Sequence, residues 1–272
     1  MQRINGQSHR EMKPFFSVCI PATKRSNTIE RALQSILNQD FQDFEVIVTT
    51  RNDKATYEIV DTFIKNCKID DKIKNINIET DRQSCNDWND SILLANGRFI
   101  AVLEGDDYFY SDYLNSAHKL IIDFNFDICL FATTNRDNVP KPFVFNKHTF
   151  FRYIYSLNAV PAPSESIFPR ICNYEAIQYN IADFTYAPEI DLYLRLTTHI
   201  NNFVRISKVG VYREASSDPN NRISFLYYRD QLIILIKYFR VINIFLLLIS
   251  LKNLIIVYIK SIIKYCIWKM IR

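Results

Sequence analysis

Glycine is scarce in this chain, with four residues in a length of 272. A glycine-rich loop that cradles phosphate groups, as in P-loop NTPases and Rossmann dinucleotide-binding domains, needs several glycines at fixed spacing. The sequence contains no such cluster, which excludes both of these nucleotide-binding classes.

Paired cysteines and an apolar leader are missing as well. The six cysteines form no CxxC pair, and Cys19 and Cys129 lie in apolar, strand-like runs, so free buried thiols are predicted in place of disulfides or zinc ligands. The polar first residues, MQRINGQSHREMK, predict a disordered N-terminus over 1–13 and no secretory signal peptide. These features are typical of a protein that faces the bacterial cytosol.

Short apolar runs alternate with helical patterns through the first half of the chain. Strands are predicted at Phe15–Pro21, Phe44–Thr50, Asn75–Glu79 and Phe99–Leu103. Helical spacing of apolar residues follows the first strand, where Ser26 or Asn27 can cap the helix, and recurs after Asp53 and over Asn86–Ala95. This alternation predicts an α/β fold with a doubly wound, mostly parallel sheet.

The segment RFIAVLEGDDYF places three acidic residues directly after the fourth predicted strand. Glu104, Asp106 and Asp107 follow a run that is apolar on both faces, and Gly105 lets the backbone turn between them. Open α/β sheets bind ligands at the carboxyl ends of their strands. Three carboxylates in a small volume repel one another unless a divalent cation holds them together. The alternative is an ordinary polar loop that leads into the next helix.

Four segments, in order, resemble the family 2 glycosyltransferases, which have the Rossmann-like GT-A fold. They are SVCIPATKR from Ser17, ALQSILNQDFQDFEVIV from Ala32, NDWNDSILLANGRFIAVLEGDDYF from Asn86, and EIDLYLRL from Glu189 with VGVYR from Val209. The resemblance covers about residues 14 to 215. It implies transfer of a sugar, of hexosyl or N-acetylhexosaminyl type, from a nucleotide-diphosphate donor, with a UDP-sugar favoured. It does not identify the sugar.

The resemblance also implies the donor site. Glu104 and Asp106 occupy the acidic positions of a DxD-like motif, with Asp106 as the direct ligand of Mn²⁺ or Mg²⁺, Glu104 nearer the ribose, and Asp107 as a supporting ligand. The residues implied to bind the nucleotide sugar are Pro21, Ala22, Thr23, Arg25, Thr50, Arg82, Asn86, Glu104, Gly105, Asp106 and Arg213. For Arg82 and Asn86, solvated loop side chains are an equal alternative.

Transfer also needs a base that takes the proton of the acceptor hydroxyl. When the segment EIDLYLRL is aligned with the family by its leucines and Arg195, Glu189 falls at the position of this base. Asp191 follows two residues later. On a helix these two carboxylates lie about 200° apart, so only one of them can face the donor. The other then complements the helix N-terminus. A base opposite the leaving diphosphate implies inversion of the anomeric centre.

Two positions depart from the family pattern. Relatives usually carry an acidic residue at the end of the second strand, where this chain has Thr49, Thr50 and Arg51. Hydroxyl groups can still donate to or accept from a nucleobase. Many relatives also have a histidine after the Tyr212-Arg213 pair, where this chain has Glu214. A metal ion can keep water molecules in place of such a ligand.

The C-terminal segment, residues 225–272, is basic and apolar. It has eight Lys or Arg and the single acid Asp230, a net charge of +7, so the rest of the chain carries −3 of the formal +4. Lys252 interrupts an apolar run, and a central lysine costs roughly 2.5 to 3.5 kcal/mol in a spanning helix. We therefore expect this segment to form a helix or helical hairpin that lies on an anionic membrane surface. The less favoured alternatives are a membrane-spanning helix, and a helix that packs on the domain or on another copy of the chain. Nucleic-acid binding is not expected, since no stacking platform accompanies the basic residues.

These observations predict a GT-A domain over 14–224 and a helical, membrane-associating extension over 225–272. The predicted function is an inverting, metal-dependent glycosyltransferase of lipopolysaccharide, capsule or other cell-surface glycan synthesis. It would act on a glycan or lipid-linked acceptor, in the cytoplasm, peripherally on the inner face of the cell membrane. Two alternatives stay open: a non-catalytic nucleotide-sugar-binding or scaffolding protein, and a glycoside hydrolase, whose two carboxylates need neither metal nor nucleotide.

Overall fold

The structure is a computed structural model, and it describes most of the predicted domain and part of the C-terminal segment. The described residues are 13–79, 86–134, 142–156, 160–170, 177–180, 183–184, 187–214, 225–238, 247–256 and 258–259. Arg82 and residues 1–12 lie outside the described residues, as does the side chain of Asn86.

The elements follow the alternation that the sequence predicts. The strands are β1 (Phe16–Pro21), β2 (Phe44–Arg51), β3 (Ile73–Ile78), β4 (Phe99–Val102), β5 (Tyr108–Phe109), β6 (Ile128–Thr133), β7 (Phe143–Phe145), β8 (Ser166–Pro169) and β9 (Phe203–Tyr212). The helices are α1 (Ile29–Leu37), α2 (Lys54–Cys67), α3 (Asn86–Leu93), α4 (Tyr113–Phe124), α5 (Lys147–Tyr155), α6 (Pro188–Leu196), α7 (Phe225–Lys237) and α8 (247–256).

Within the described ranges these strands form one nine-stranded sheet, in the order β3-β2-β1-β4-β8-β6-β9-β5, and β7 pairs with β9. The β3-β2-β1-β4 half is parallel, with Phe16 opposite both Phe44 and Phe99. β8 runs antiparallel between β4 and β6, while β6 and β9 are parallel. This confirms the predicted mixed α/β fold with a mostly parallel sheet.

The sheet is covered on both faces, so its central strands are apolar throughout. All residues of β4 and β6 are buried. One core lies under α1 and α4, and α1 contributes the apolar stripe Ile29, Ala32, Leu33 and Ile36. The other core lies under α5, α6 and α7. Strands buried on both faces are what parallel sheets require, and this explains the unbroken apolar runs of the sequence.

The start of α1 differs from the prediction. Neither Ser26 nor Asn27 caps the helix, because the N-cap is Thr28 and its side chain makes no capping hydrogen bond. The Thr28 hydroxyl instead donates to the carbonyl oxygen of Gly105 at 2.8 Å. The Thr28 hydroxyl therefore bonds to the acidic loop and does not cap the helix.

The described part of the C-terminal segment packs on the sheet domain. Tyr228, Ile234, Leu235 and Leu254 are buried in the same core as α5 and α6. The inner faces of α7 and α8 therefore pack on the domain, which is one of the alternatives considered for this segment, and the division at residue 225 stays a prediction. Among the helices that the structure describes, none is both long enough and apolar enough to cross a bilayer.

Candidate active site

The acidic loop follows β4 at the carboxyl end of the parallel strands. One oxygen from each of Glu104, Asp106 and Asp107 lies within 4.8 Å of the others, and the Asp107 N–H donates to the Glu104 carbonyl at 2.9 Å in a tight turn. The three predicted ligands therefore converge. Carboxylate oxygens at this spacing fit a hard divalent cation such as Mn²⁺ or Mg²⁺, which binds through one or two carboxylates and keeps water molecules.

Two arginines partly balance this negative charge. Arg25 lies 3.3 Å from the Asp106 carboxylate, and Arg213 lies 3.9 Å from the Glu104 carboxylate. Burial nevertheless raises the pKa of Glu104, and burial together with the nearby Glu104 charge raises the pKa of Asp107 to about 7. A carboxylate cluster that is costly to ionise by itself gains most from a bound cation.

Asp107 lies at the base of the cluster and is fully enclosed by protein. One of its oxygens accepts a hydrogen bond from the Ser164 hydroxyl at 2.8 Å, and the other accepts from the Glu214 N–H at 3.0 Å. Asp107 therefore joins the acidic loop to Glu214, which follows β9 directly after Arg213. Its position fits a supporting role better than that of a principal metal ligand.

Gly105 is required by close packing. Its φ is not in the left-handed region, so the reason given by the sequence, freedom of the turn, does not apply. A Cβ atom at this position would lie 2.9 Å from Cγ of Arg25 and 3.3 Å from Cα of Ala22. The acidic loop thus lies directly against the turn that follows β1, and any side chain at residue 105 would separate them.

Arg31, which the sequence analysis missed, holds this loop from α1. Its guanidinium donates to the Asp106 carbonyl at 2.7 Å and to the Glu214 carboxylate at 2.8 Å. It also lies 5.4 Å from the ring centre of Tyr108, which stacks on Tyr212 with 4.5 Å between rings. The spacing of three residues from Arg25 through Thr28 to Arg31 is the signal that could have identified this contact face.

The turn after β1 is linked to β2 and α3 by a polar network. The Thr23 hydroxyl donates to the Asp87 carboxylate and accepts from the Arg51 N–H at 2.9 Å. The Arg51 side chain is buried, donates to Asp87 at 2.8 Å and contacts Asp90. Arg51 thus stands where relatives have an acid, and the carboxylates beside it come from α3. The sequence analysis missed Asp87.

The remaining nucleotide-site candidates are placed less favourably. Thr50 is fully buried and its hydroxyl donates to Asn77 at 3.0 Å, while the Thr49 hydroxyl donates to the Asp87 carbonyl at 2.9 Å. Both hydroxyls thus donate to acceptors within the protein, and the role of Thr50 in nucleotide binding stays a prediction. Pro21 ends β1 beside the buried Ala22, whose N–H donates to the Thr49 carbonyl. These two residues shape the turn through their backbone.

Glu189 and Asp191 occupy the first turn of α6 and have different surroundings. Burial, with a smaller effect of the Glu104 charge, raises the pKa of Glu189 to about 7, and Arg213 opposes this shift. Glu189 therefore shares the electrostatic environment of the acidic loop. A carboxylate with a pKa near the working pH suits a general base.

Asp191 is enclosed on the other side of the helix. Its side chain is fully buried and accepts hydrogen bonds from Arg195 at 2.7 Å, Lys237 at 2.8 Å and Tyr238 at 2.9 Å. These contacts tie α6 to α7. This geometry favours Glu189 over Asp191 as the candidate base, because the Asp191 carboxylate is occupied by contacts within the protein.

Comparison with known proteins agrees with this arrangement. The model of the family "Glycosyl transferase family 2" matches residues 17–181, which is more than half of the chain. The chain belongs to glycosyl transferase family 2. It thus carries a family 2 glycosyltransferase domain, and the match includes the turn after β1, α3 and the acidic loop.

The curated relatives are bacterial glycosyltransferases. An uncharacterized glycosyltransferase of Rickettsia bellii is 30% identical over 155 residues, which cover 57% of this chain and 20% of that protein. The GalNAc(5)-diNAcBac-PP-undecaprenol beta-1,3-glucosyltransferase of Campylobacter jejuni is 34% identical over 105 residues, 38% of this chain and 33% of that protein. A putative teichuronic acid biosynthesis glycosyltransferase of Bacillus subtilis is 27% identical and is covered to 46%. The aligned part thus spans less than half the length of each of these relatives.

Solved structures share the fold at low sequence identity. S. aureus TarS 1–349 in complex with UDP superposes with a TM-score of 0.60 at 22% identity, covering 83% of this chain and 65% of that one. The mannosyltransferase PcManGT from Pyrobaculum calidifontis, in complex with GDP-Man and Mn²⁺, gives 0.59 at 15% identity, covering 84% and 65%. These similarities show that the family 2 domain of this chain has the GT-A fold.

Proposed function

We propose that this family 2 glycosyltransferase is an inverting, metal-dependent enzyme. It transfers a hexosyl or N-acetylhexosaminyl group from a nucleotide-diphosphate sugar, with a UDP-sugar favoured, to an acceptor hydroxyl. The observation that carries the proposal is the convergence of Glu104, Asp106 and Asp107 beside Arg213, with Glu189 in the same electrostatic environment. A donor site and a base are both needed for this reaction, and the described residues supply candidates for both.

The acidic loop and its arginines form the donor end of the site. Asp106 is the proposed direct ligand of Mn²⁺ or Mg²⁺, with Glu104 and Asp107 as supporting groups. When bound, the ion supplies positive charge that stabilises the leaving diphosphate. Arg31, Thr28 and the Asp107 anchor hold the loop in one conformation, so its carboxylates need not rearrange when the donor binds.

Glu189 acts as the base for the acceptor hydroxyl. Its carboxylate takes the proton from the acceptor hydroxyl as the oxygen attacks the anomeric carbon. The bond from that carbon to the diphosphate oxygen breaks, and the electron pair leaves with the nucleoside diphosphate. Attack opposite the leaving group inverts the configuration. With a pKa of about 7, Glu189 is ionised often enough at neutral pH to accept the proton.

The proposed acceptor is a glycan, lipid-linked or free, in cell-surface polysaccharide synthesis such as lipopolysaccharide or capsule. Two relatives support this class, since their names include PP-undecaprenol and teichuronic acid biosynthesis. We place the enzyme on the cytoplasmic face of the membrane. A non-catalytic nucleotide-sugar-binding protein is the second candidate, because Arg51 and Glu214 replace residues that relatives use.

Release of nucleoside diphosphate from a panel of nucleotide sugars, measured with and without Mn²⁺, tests the proposal. Slow donor hydrolysis that needs Mn²⁺ and is lost in Asp106→Asn supports a transferase. Donor binding without turnover in any Mn²⁺ or acceptor condition would instead support the binding protein. Cleavage of a glycan without nucleotide or metal would support a hydrolase. Asp123→Asn, an exposed carboxylate on α4, is the matched control for the change in charge.

A further inference from the structure

The outward faces of α7 and α8 expose large aliphatic side chains to solvent. On α7 the exposed fraction is 41% for Leu232, 42% for Ile233 and 64% for Ile236. On α8 and just after it, the exposed large side chains are Leu248, Ile249, Ile255, Ile256, Tyr258 and Ile259. Single exposed apolar residues are ordinary on protein surfaces, but a group on two successive helices marks an interaction site.

The same two helices bury their opposite faces, so the exposed side chains form defined stripes. Ile234 and Leu235 of α7 are fully buried in the core, and Leu254 of α8 lies in that core too. Contact between the rings of Tyr228 and Tyr258, with 4.9 Å between centres, places α7 beside the chain at the end of α8. The two helices are therefore fixed to the domain while their outer stripes remain accessible.

Basic residues accompany these stripes. Arg229 and Lys237 on α7 are partly exposed beside the aliphatic residues, although Arg229 pairs with Asp230 and Lys237 with Asp191. Lys252 lies one turn from both Leu248 and Ile255 on the exposed face of α8. Residues 225–272 carry a net charge of +7, and the rest of the chain carries −3. Aliphatic side chains flanked by long basic ones match a bilayer interface, where the aliphatic groups enter the acyl boundary and the cations meet anionic headgroups.

We infer that the outward face of α7 and α8 binds an anionic lipid bilayer surface. A second copy of the chain is the competing occupant, but pairing the same face would bring like charges such as the exposed Lys252 of both copies together, which costs electrostatic energy. An anionic bilayer has the opposite charge. The inference goes beyond the catalytic proposal and does not depend on it, because Glu104, Asp106 and Glu189 are not part of this face.

Flotation of the full chain with vesicles tests the inference. The protein should float with vesicles of phosphatidylglycerol and phosphatidylcholine and float poorly with phosphatidylcholine alone. Rising salt should release only part of it, because salt screens the basic residues and leaves the aliphatic contacts intact. The variant Leu232→Gln/Ile233→Gln/Ile236→Gln should lower vesicle affinity by roughly 10²-fold or more, given the apolar area removed.

Ile122→Gln/Phe124→Gln is the matched control. These two side chains are 52% and 66% exposed on α4, which packs against the other core, and vesicle binding should be unchanged. Ile255→Gln/Ile256→Gln on α8 gives an independent variant if the α7 variant melts early. Failure of the intact chain to float, or equal losses in the α7 variant and the control, would overturn the inference. A dimer that the α7 variant dissociates, without vesicle binding, would assign the face to a second copy.

Discussion

Replacing Glu189 by glutamine separates the roles of the two carboxylates on α6. Glutamine keeps the shape and loses the proton acceptor, so kcat should fall by about 10² to 10⁴ while UDP affinity changes little. Because the pKa of Glu189 is about 7, half of the groups are ionised at pH 7. The wild-type rate should therefore rise about twofold from pH 7 to pH 8 and fall to about one fifth at pH 6. The residual rate of Glu189→Gln should lack this step.

Asp191→Asn is the comparison variant, and we expect it to lower the stability of the fold. The substitution removes the charge that pairs with Arg195 and Lys237, and breaking a buried pair costs about 3 to 5 kcal/mol. Both cations reach solvent, so we take the lower end, about 3 kcal/mol, or a fall in Tm of about 6 to 12 °C. Below its melting range, the variant should keep a wild-type pH profile. If Asp191→Asn abolishes turnover while Glu189→Gln retains the pH step, the assignment of the base is wrong.

Three further predictions concern the fold around the site. Ending the chain at residue 224 removes four buried side chains of the core, those of Tyr228, Ile234, Leu235 and Leu254. Burial of each stabilises the fold by about 1.5 to 3 kcal/mol, so thermal scans should show early melting or aggregation. An unchanged Tm would mean that α7 and α8 do not complete the core. Gly105→Ala should weaken Mn²⁺-dependent UDP binding about tenfold, as measured by calorimetry. The added Cβ atom forces the acidic loop away from Arg25, which costs about 1 to 3 kcal/mol. Wild-type affinity in this variant would contradict the close packing. Asp107 and Glu189 have raised pKa values of about 7, so the stability that they contribute when protonated is lost as pH rises through 7. Urea unfolding without metal should therefore give a lower free energy of unfolding at pH 8 than at pH 5.5, by about 2 kcal/mol at most for Asp107, and the opposite slope would refute these shifts.

Much of the fold could be predicted because the sheet requires apolar strands. The runs at Phe16 and Phe99 are buried on both faces, and such strands have an unmistakable pattern. The ends of elements were less predictable. β3 begins at Ile73, two residues before the predicted start at Asn75, because partly buried strands alternate weakly. The predicted cap of α1 was wrong because the N-cap residue Thr28 donates its hydroxyl to Gly105, which is 77 residues away in the sequence.

The acidic triad was predictable because its residues are adjacent in sequence. Asp87 and Ser164 were not predictable, because each reaches the site from a separate element through long-range contacts, and Arg31 had only its spacing from Thr28 as a signal. The choice between Glu189 and Asp191 also needed the structure, since the burial of Asp191 depends on Lys237 and Tyr238 of a helix that the sequence assigned to a membrane-associating extension.

Calorimetric titration of UDP with and without Mn²⁺, on the wild type and on Asp106→Asn, tests the central claim most directly. If the acidic loop binds the metal and the nucleotide together, Mn²⁺ should tighten UDP binding by the wild type and by the control Asp123→Asn, and should have no effect on Asp106→Asn. The variant should keep the wild-type Tm without metal, because removing one charge from a repelling cluster does not weaken the fold. Equal Mn²⁺ dependence in the wild type and Asp106→Asn would contradict the account.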